Sequence, residues 1–438
     1  MQLRKKRGGK VMDQLDLIYQ IAMNKLKYKF NSLSKEFSLL EENNPIEHIK
    51  YRIKKKNSIE GKLKKKNLPI TKESIRNLND ILGVRVVCSF LDDVEVLIKT
   101  IASDPEITIL KCKNYIDTPK NNGYMSYHLN IEFPVLVNGV VEKVKAEIQV
   151  RTIAMDMWAS LEHKIWYKKG IELPEEMTNE IYQMADFCKI VDERLNAYAR
   201  NAEFRTPSKK IEYPFLQDKK YSITKLKHEA ALKIMKEKIQ SIVEEYGLSD
   251  SPNPIEHVKS RLKSDDSIGL KLQREQKTLT VNSIEENIND FAGIRIVCSF
   301  KSDVEKIVTL LKNDATMEIV EEQDYITYPK DSGYKSYHLL ANVPIYLQNG
   351  VEKIKVEIQI RTIAMDMWAS LEHKLCYHKE VDSRTNLELK RIANVVGNID
   401  ESMEEIIKKS RNLVAQKSKK KVRKKEIHDS ILNKENQN

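Results

Sequence analysis

Apolar and polar positions alternate with a period of two along 141–150 (VEKVKAEIQV) and again along 351–360 (VEKIKVEIQI). In the first stretch Val144, Ala146, Ile148 and Val150 fall on one side, and Lys145, Glu147, Gln149 and Arg151 on the other. That period predicts a strand with one apolar and one polar face. The polar face carries an acid, an amide and a base in succession, more chemistry than a solvated strand needs. The next fourteen residues are identical in both places: RTIAMDMWASLEHK occupies 151–164 and 361–374. As a helix this segment puts Asp156, Ser160 and Lys164 on one face and Trp158, Leu161 and Ile165 at core spacing on another. A strand and a helix that both present polar groups beside an apolar core make the wall of a site.

The remaining pattern also occurs twice. Helical periodicity covers 12–42, led by Leu15, Ile18, Tyr19 and Ala22, and 223–246 plays the same part later. NPIEHIKYRIKKKNSI and NPIEHVKSRLKSDDSI begin at Asn44 and Asn253. Pro45 and Pro254 suit a first helical position, so short helices are expected there, carrying His48 and Arg52, or His257 and Arg261. NDILGVRVVCSF at 79–90 and NDFAGIRIVCSF at 289–300 contain nearly continuous apolar runs, which predict buried strands. Pro-Lys-x-x-Gly-Tyr turns at 119–124 and 329–334 each lead into a further strand. Another helix is expected from Pro174 to Ala202. The pattern thus predicts one domain over 1–203, a proline-containing linker at 204–222, a second copy over 223–412 and a basic, unstructured tail at 413–438.

Composition adds a compartment and a charge. No apolar run approaches the roughly 18 residues of a membrane helix, and no apolar segment follows the basic N-terminus as in a secretory signal. Five cysteines without a CxxC pair point to a reduced, cytoplasmic setting, with Cys88 and Cys298 as core thiols. Of the net charge of +11, part lies in the ends, Arg4–Lys10 and KSKKKVRKK at 417–425, which would be solvated or touch RNA weakly. Another part lies in IKKKNSIEGKLKKK at 53–66. Beside a polar strand, such a cluster suits a polyphosphate better than a nucleic acid.

Several residues carry candidate chemistry. Ser58 and Lys62, like Ser267 and Lys271, stand four apart, as at a loop-to-helix junction where a hydroxyl, a lysine and backbone N–H groups converge on phosphate; a capped basic surface helix is the plainer alternative. Asp80 and Asp290 precede buried strands, where an acid serves either as a turn cap or as a cation ligand. Glu147 and Glu357 supply a second carboxylate. Two such acids are the minimal protein share of a Mg²⁺–nucleotide site. Tyr124 and Tyr334 either stack on a base, with Lys120 and Lys330 meeting phosphates, or pack on the sheet.

Assembled, these residues resemble the RelA/SpoT-type alarmone synthetases of the small, stand-alone kind. The matching pieces are Arg-x-Lys with Ser-Ile-x-x-Lys, N-D-x-x-G-x-R, K-x-x-G-Y-x-S-Y-H, E-I-Q-x-R-T and A-M-D-M-W-A-S-L-E-H-K. All occur in order in both halves, over 45–170 and 254–380. The resemblance implies two α+β, nucleotidyltransferase-like domains, each a mixed five-stranded sheet flanked by helices. It implies transfer of pyrophosphate from ATP to the 3′-hydroxyl of GDP or GTP, with a toxin-type synthetase acting on the 3′ end of tRNA, or a non-catalytic nucleotide or RNA binder, as the alternatives.

Carried over, the resemblance makes Asp80, Glu147, Asp290 and Glu357 the catalytic Mg²⁺ ligands, with Glu147 and Glu357 also drawing the proton from the attacking hydroxyl. Arg52, Arg85, Arg261 and Arg295 would clasp adenine. Lys54, Ser58, Lys62, Lys263, Ser267 and Lys271 would hold the triphosphate. Tyr124 and Tyr334 would stack on guanine, with Lys120, His128, Gln149, Asp156 and Glu162, or Lys330, His338, Gln359, Asp366 and Glu372, completing the acceptor pocket. The family usually has arginine after the Gly-Tyr; here it is Met125 or Lys335, so the first copy is expected to lack one acceptor cation. The sole His-Asp pair, His428-Asp429, lies in the charged tail, so no hydrolase activity is expected. The small synthetases normally carry one domain per chain and assemble as tetramers, so one chain here would stand for two subunits.

Overall fold

The structure, a computed structural model, describes residues 2–40, 44–166, 174–201, 213–248, 252–348, 350–376 and 383–435. Side chains are described over 15–39, 44–165, 174–200, 213–248, 252–348, 350–375 and 386–412. The chain divides into two compact units, Met1–Glu162 with Pro174–Glu203, and His163–Leu173 with Phe204–Asn438.

The first unit runs α1 (Gln2–Leu40), β1 (Ile46–Ile53), α2 (Lys56–Lys65), α3 (Lys72–Arg76), β2 (Leu82–Cys88), α4 (Leu91–Ala102), β3 (Thr108–Asn114), β4 (Tyr127–Val137), β5 (Val140–Thr152), α5 (Ile153–Trp166) and α6 (Glu175–Asn201). Its five strands lie in the order β1-β2-β5-β4-β3. Only β2 and β5 pair in parallel, with Gly83 opposite Glu147 and Arg85 opposite Gln149. The other neighbours are antiparallel. This is the mixed five-stranded sheet implied by the resemblance.

Alternation decides which face is which. Val84 and Val86, Leu129 and Ile131, and Ala146 and Ile148 are buried against Leu15, Ala22 and Leu26 of α1 and Leu97 and Ile101 of α4. A one-residue slip of β5 would send Glu147 and Gln149 into that core, so the apolar contacts fix the register of the polar face. Cys88 is fully buried, as expected for a core thiol. On α5, Trp158 is buried and its indole N–H donates to the Ile181 carbonyl of α6 at 2.9 Å. The turn before β4 needs its glycine twice over: Gly123 has φ +80°, and a Cβ there would stand 2.5 Å from the Ala185 Cβ.

The second unit repeats this plan. After a 3₁₀ turn at Pro214–Gln217 come α7 (Lys219–Leu248), β6 (Ile255–Leu262), α8 (Asp265–Arg274), α9 (Val281–Asn287), β7 (Ala292–Cys298), α10 (Lys301–Lys312), β8 (Glu318–Asp324), β9 (Tyr337–Leu347), β10 (Gly350–Thr362), α11 (Ile363–Cys376) and α12 (Ser383–Glu435). Its sheet order is β6-β7-β10-β9-β8, with β7 and β10 parallel. Met235 and Ile239 of α7 and Ile307 and Leu311 of α10 cover the apolar face, and Cys298 is buried there.

Three expectations change. The segments after Pro45 and Pro254 are strands, β1 and β6, not helices. Ile49, Tyr51 and Ile53 alternate and pack on the core, and the antiparallel partner β2 supplies the hydrogen bonds a helix would have made internally. Of the expected linker, 204–212 lie outside the described residues, and the rest is ordered. Tyr213 and Phe215 are buried with Tyr221 against Leu272 and Phe291, because the aromatics on either side of Pro214 seat on α8 and its neighbours. Gly269 of α8 makes room, since a Cβ there would overlap the Tyr213 ring. Finally, α12 stays helical to Glu435 where an unstructured tail was expected. After Gly397 that stretch contains neither proline nor glycine and is rich in lysine, arginine and glutamate, all good helix formers.

Candidate active site

The polar face of the first sheet gathers three clusters. The first surrounds Asp80, in the turn before β2. Lys54, just past β1, and Lys62 of α2 both reach Asp80 Oδ2, the latter at 2.7 Å. Burial alone would raise the Asp80 pKa, but the hydrogen bonds and charges of the two lysines hold it below the ordinary carboxylate value. Asp80 Oδ1 is buried and has no hydrogen-bond partner. In the second unit Lys263 and Lys271 take separate oxygens of Asp290, the latter at 2.8 Å, and its pKa falls to about 2. Ser58 is exposed in the first turn of α2, whose start has no side-chain cap. At α8, Ser264 caps the helix by accepting from the Ser267 N–H.

The second cluster lies on β4 and β5. His128 Nδ1 stands 3.4 Å from Glu147 Oε1, and Gln149 Nε2 donates to Glu147 Oε2 at 2.8 Å. Burial pushes the Glu147 carboxyl up, but His128 and Gln149 more than reverse this, so it sits below its ordinary value despite the repulsion of Asp80. The Asp80 and Glu147 carboxylates therefore sense each other across the β2–β5 pair. His128 Nε2 and the Tyr124 hydroxyl are 2.9 Å apart, and Lys120 Nζ lies 4.4 Å from the Tyr124 ring centre. The matching contacts recur: His338 Nδ1 to Glu357 Oε1 at 3.2 Å, Gln359 to Glu357 at 2.8 Å, and Lys330 Nζ 5.1 Å from the Tyr334 ring. Glu162 takes a hydrogen bond from Asn122 at 3.2 Å, and burial raises its pKa; Glu372 is raised the same way.

The third cluster is centred on Asp156, in the first turn of α5. The resemblance puts this residue with the acceptor, yet its neighbours are mostly cations of β1 and β2. Arg85 Nη1 donates to Oδ1 at 2.9 Å, while Lys50 Nζ and His48 Nε2 lie 3.5 and 3.6 Å from Oδ2. Burial opposes ionisation, but Lys50 and Arg85 dominate and hold the carboxyl well below the ordinary range. Asp366 is held likewise by Lys259, Arg295 and His257. Strand β1 thus delivers His48 and Lys50 as well as Arg52. The side chain of Arg52 crosses Gly83, where a Cβ would stand 3.0 Å from its Cγ and Nε. In the second unit Gly293 has only the Arg261 carbonyl nearby, at 3.9 Å.

Lys50, which the sequence pattern did not name, joins the site with His48 and Arg151, which it named without a role. For Arg151 the signal was present in the alternation, which put it on the polar face; for β1 it was hidden by the helical interpretation. Lys335 lies elsewhere than expected. It extends to α12, where its charge acts on Asp400 and Glu401, and its counterpart Met125 is buried in the core.

A mixed sheet whose polar face pairs two carboxylates, with lysines and arginines on one flank and a cation-lined tyrosine on the other, defines a nucleotidyltransferase-like protein built for phosphate-rich ligands. The chain belongs to the RelA/SpoT family: the region found in RelA / SpoT proteins matches residues 51–172 and 260–382, more than half its length. It is similar to the GTP pyrophosphokinase YwaC of Bacillus subtilis (strain 168), with 46% identity over 180 residues, 41% of this chain and 86% of that one. It is also similar to the GTP pyrophosphokinase YjbM of the same organism, 35% identical over 193 residues, 44% of this chain and 90% of that one. Among solved structures, small alarmone synthetase 2 from Bacillus subtilis is 41% identical, covering 44% of this chain and 99% of its own, with a TM-score of 0.41. Small alarmone synthetase 1 from Bacillus subtilis, bound to its product pppGpp, is 34% identical over 44% of this chain and 98% of its own, with a TM-score of 0.42. Among the described residues no helix is long and apolar enough to cross a membrane.

Proposed function

We propose that each copy is a GTP pyrophosphokinase that moves the β,γ-pyrophosphoryl group of ATP to the 3′-hydroxyl of GDP or GTP. In that step the 3′-oxygen bonds to the β-phosphorus, the bridge to the α-phosphorus breaks, AMP leaves, and the hydroxyl proton passes to a base. Positioning and neutralisation of charge carry such a transfer, and no protein nucleophile is required. The observation that carries the reading is Asp80, in the turn before β2, acting on the charge of Glu147 of β5, repeated as Asp290 before β7 and Glu357 of β10, with lysines on the aspartate and a tyrosine ringed by cations nearby.

Lys54 and Lys62, with Lys263 and Lys271, hold the donor phosphates, and Ser58 and Ser267 add hydroxyls. Arg52 and Arg85, with Arg261 and Arg295, hold the adenosine end. Tyr124 and Tyr334 receive the guanine, with Lys120, His128, Gln149 and Glu162, or Lys330, His338, Gln359 and Glu372, around it. Glu147 and Glu357, kept below the ordinary pKa, are ionised at neutral pH and accept the hydroxyl proton. Asp156 and Asp366 fix the cations of the first two strands.

Asp80 and Glu147 also fit a Mg²⁺ ion. They are hard oxygen donors, Asp80 Oδ1 is buried without a partner, and among the described residues no group of three or more His, Cys, Asp or Glu could hold a metal by itself. A two-carboxylate share completed by substrate phosphates and water suits Mg²⁺. When bound, the ion would supply charge neutralisation on the transferring phosphates. Two copies in one chain further imply that two chains associate where single-copy relatives would need four, and the basic ends offer weak contact to RNA.

The test is incubation of the purified chain with labelled ATP, Mg²⁺ and either GDP, GTP or tRNA. Labelled guanosine tetra- or pentaphosphate is expected without ribosomes. Label on tRNA alone would replace the acceptor.

A further inference from the structure

Arg151 belongs to neither the donor nor the acceptor set, yet it touches Tyr124 and Gln149 of the acceptor set and the carboxylate that holds Arg85 of the donor set. Its side chain is only 1% exposed. Nη1 donates to Asp156 Oδ1 at 3.4 Å, the oxygen that also takes Arg85 Nη1 at 2.9 Å. Nη2 donates to the Tyr124 hydroxyl at 2.9 Å and to Gln149 Oε1 at 2.7 Å, and the guanidinium carbon lies 5.3 Å from the Tyr124 ring centre. Arg361 repeats the arrangement, reaching Asp366 at 3.4 Å, the Tyr334 hydroxyl at 2.5 Å and Gln359 at 2.6 Å, and adds Ser336 at 3.2 Å.

A buried guanidinium is costly unless it is paired and hydrogen-bonded, and an apolar side chain would fill the space at less cost. Here burial lowers the Arg151 pKa, the Arg85 charge lowers it further, and Tyr124 and Asp156 act in the opposite direction. Its side-chain partners come from three elements, α5, the turn before β4 and β5 itself, and all face the polar side. A planar fork with fixed donor directions locks three such groups in one mutual geometry, which a flexible ammonium does not.

We propose that Arg151 and Arg361 are positioning residues that orient the acceptor tyrosine and glutamine against the Asp–Arg pair on the donor side. The proposal rests on the assignment of Tyr124 and Gln149 to the acceptor. Arg151 itself touches neither nucleotide. Its loss therefore acts through the aim of Tyr124 and Gln149, while the lysines around Asp80 keep their grip on ATP.

The test uses a chain with one working copy, Glu357→Gln, and adds Arg151→Lys, Arg151→Met, Tyr124→Phe or the last two together. Arg151→Lys keeps the charge and loses the fork, and is expected to raise the acceptor KM about tenfold while the ATP KM stays within about twofold. Tyr124→Phe keeps the ring and removes the hydroxyl that Arg151 meets. The double variant is expected to fall short of additivity, because both changes remove the Arg151–Tyr124 contact, while Tyr124→Phe alone also loses the contact to His128. Equal rises in both KM values, a wild-type acceptor KM in Arg151→Lys, or full additivity in the double variant would overturn the proposal. Should Arg151→Met fail to fold, judged by thermal unfolding, Arg151→Lys and Tyr124→Phe decide alone. A Glu357→Gln parent that makes no alarmone overturns the acceptor assignment and the proposal with it; an active parent with unaltered variants overturns only the proposal.

Discussion

Lys335 points at Gly397 of α12: a Cβ on that glycine would stand 3.1 Å from the lysine Nζ. The lysine follows Tyr334 in the chain, but the Tyr334 hydroxyl meets His338 and Arg361 instead. Its charge acts on Asp400 and Glu401 of the same helix. Met125 occupies the equivalent place in the first unit and is 4% exposed. The difference between the copies at this position is thus one of packing behind the site rather than of acceptor charge.

Met125→Lys, made in the Glu357→Gln chain, is therefore expected to leave the acceptor KM within about twofold and to lower Tm by several degrees, since a lysine enters an apolar site. Steady-state kinetics and calorimetry check both parts. A tenfold fall in acceptor KM would return this position to the phosphates.

Removing the carboxylates proposed to hold Mg²⁺ should separate activity from stability. Asp80→Asn with Asp290→Asn, or Glu147→Gln with Glu357→Gln, is expected to reduce alarmone synthesis by roughly a hundredfold or more, because the hard donors that would hold the neutralising cation are lost. Tm should move by less than about 4 °C, as these groups sit on the polar face and not in the core. A product assay with labelled ATP beside thermal unfolding would show it. Near wild-type turnover in the Glu147→Gln, Glu357→Gln chain would remove those residues from the chemistry.

Stability should depend on pH through a buried acid behind the site. Asp192 of α6 accepts from the Thr152 hydroxyl at 2.6 Å, and burial raises its pKa from 3.8 to about 7. Between those values the folded chain keeps a proton that the unfolded chain has released. The contribution is full below the unfolded value and is lost as pH rises through about 7. Asp80 and Asp290 have the opposite sign: their lowered values stabilise above the ordinary carboxylate range, and that share is lost as pH falls below it. Asp192→Asn keeps an oxygen for Thr152 and has no charge to bury. It is expected to match the wild-type Tm near pH 4 and to exceed it by a growing margin up to pH 8, measured by calorimetry across that range. Equal Tm values at both pH values would place Asp192 in contact with solvent.

The sequence alone determined the duplication, the buried strands and the polar face of β5. A period of two leaves no choice about which residues share a side, and the apolar partners Ala146, Ile148 and Val150 make that side the core. It also marked the carboxylates Asp80 and Glu147 and the turn at Gly123, because each needs a particular residue type at one position. Tertiary structure alone decided the rest. Ile49, Tyr51 and Ile53 become a strand because β2 is there to pair with them, and this places His48 and Lys50 beside Asp156. Tyr213 and Phe215 become core because α8 offers Gly269. Lys335 turns to α12, and Arg151 reaches Tyr124, through contacts between residues far apart in the chain. Local spacing reports which way a side chain faces; what it meets there depends on elements folded in from elsewhere, and it is those contacts that set charge, burial and role.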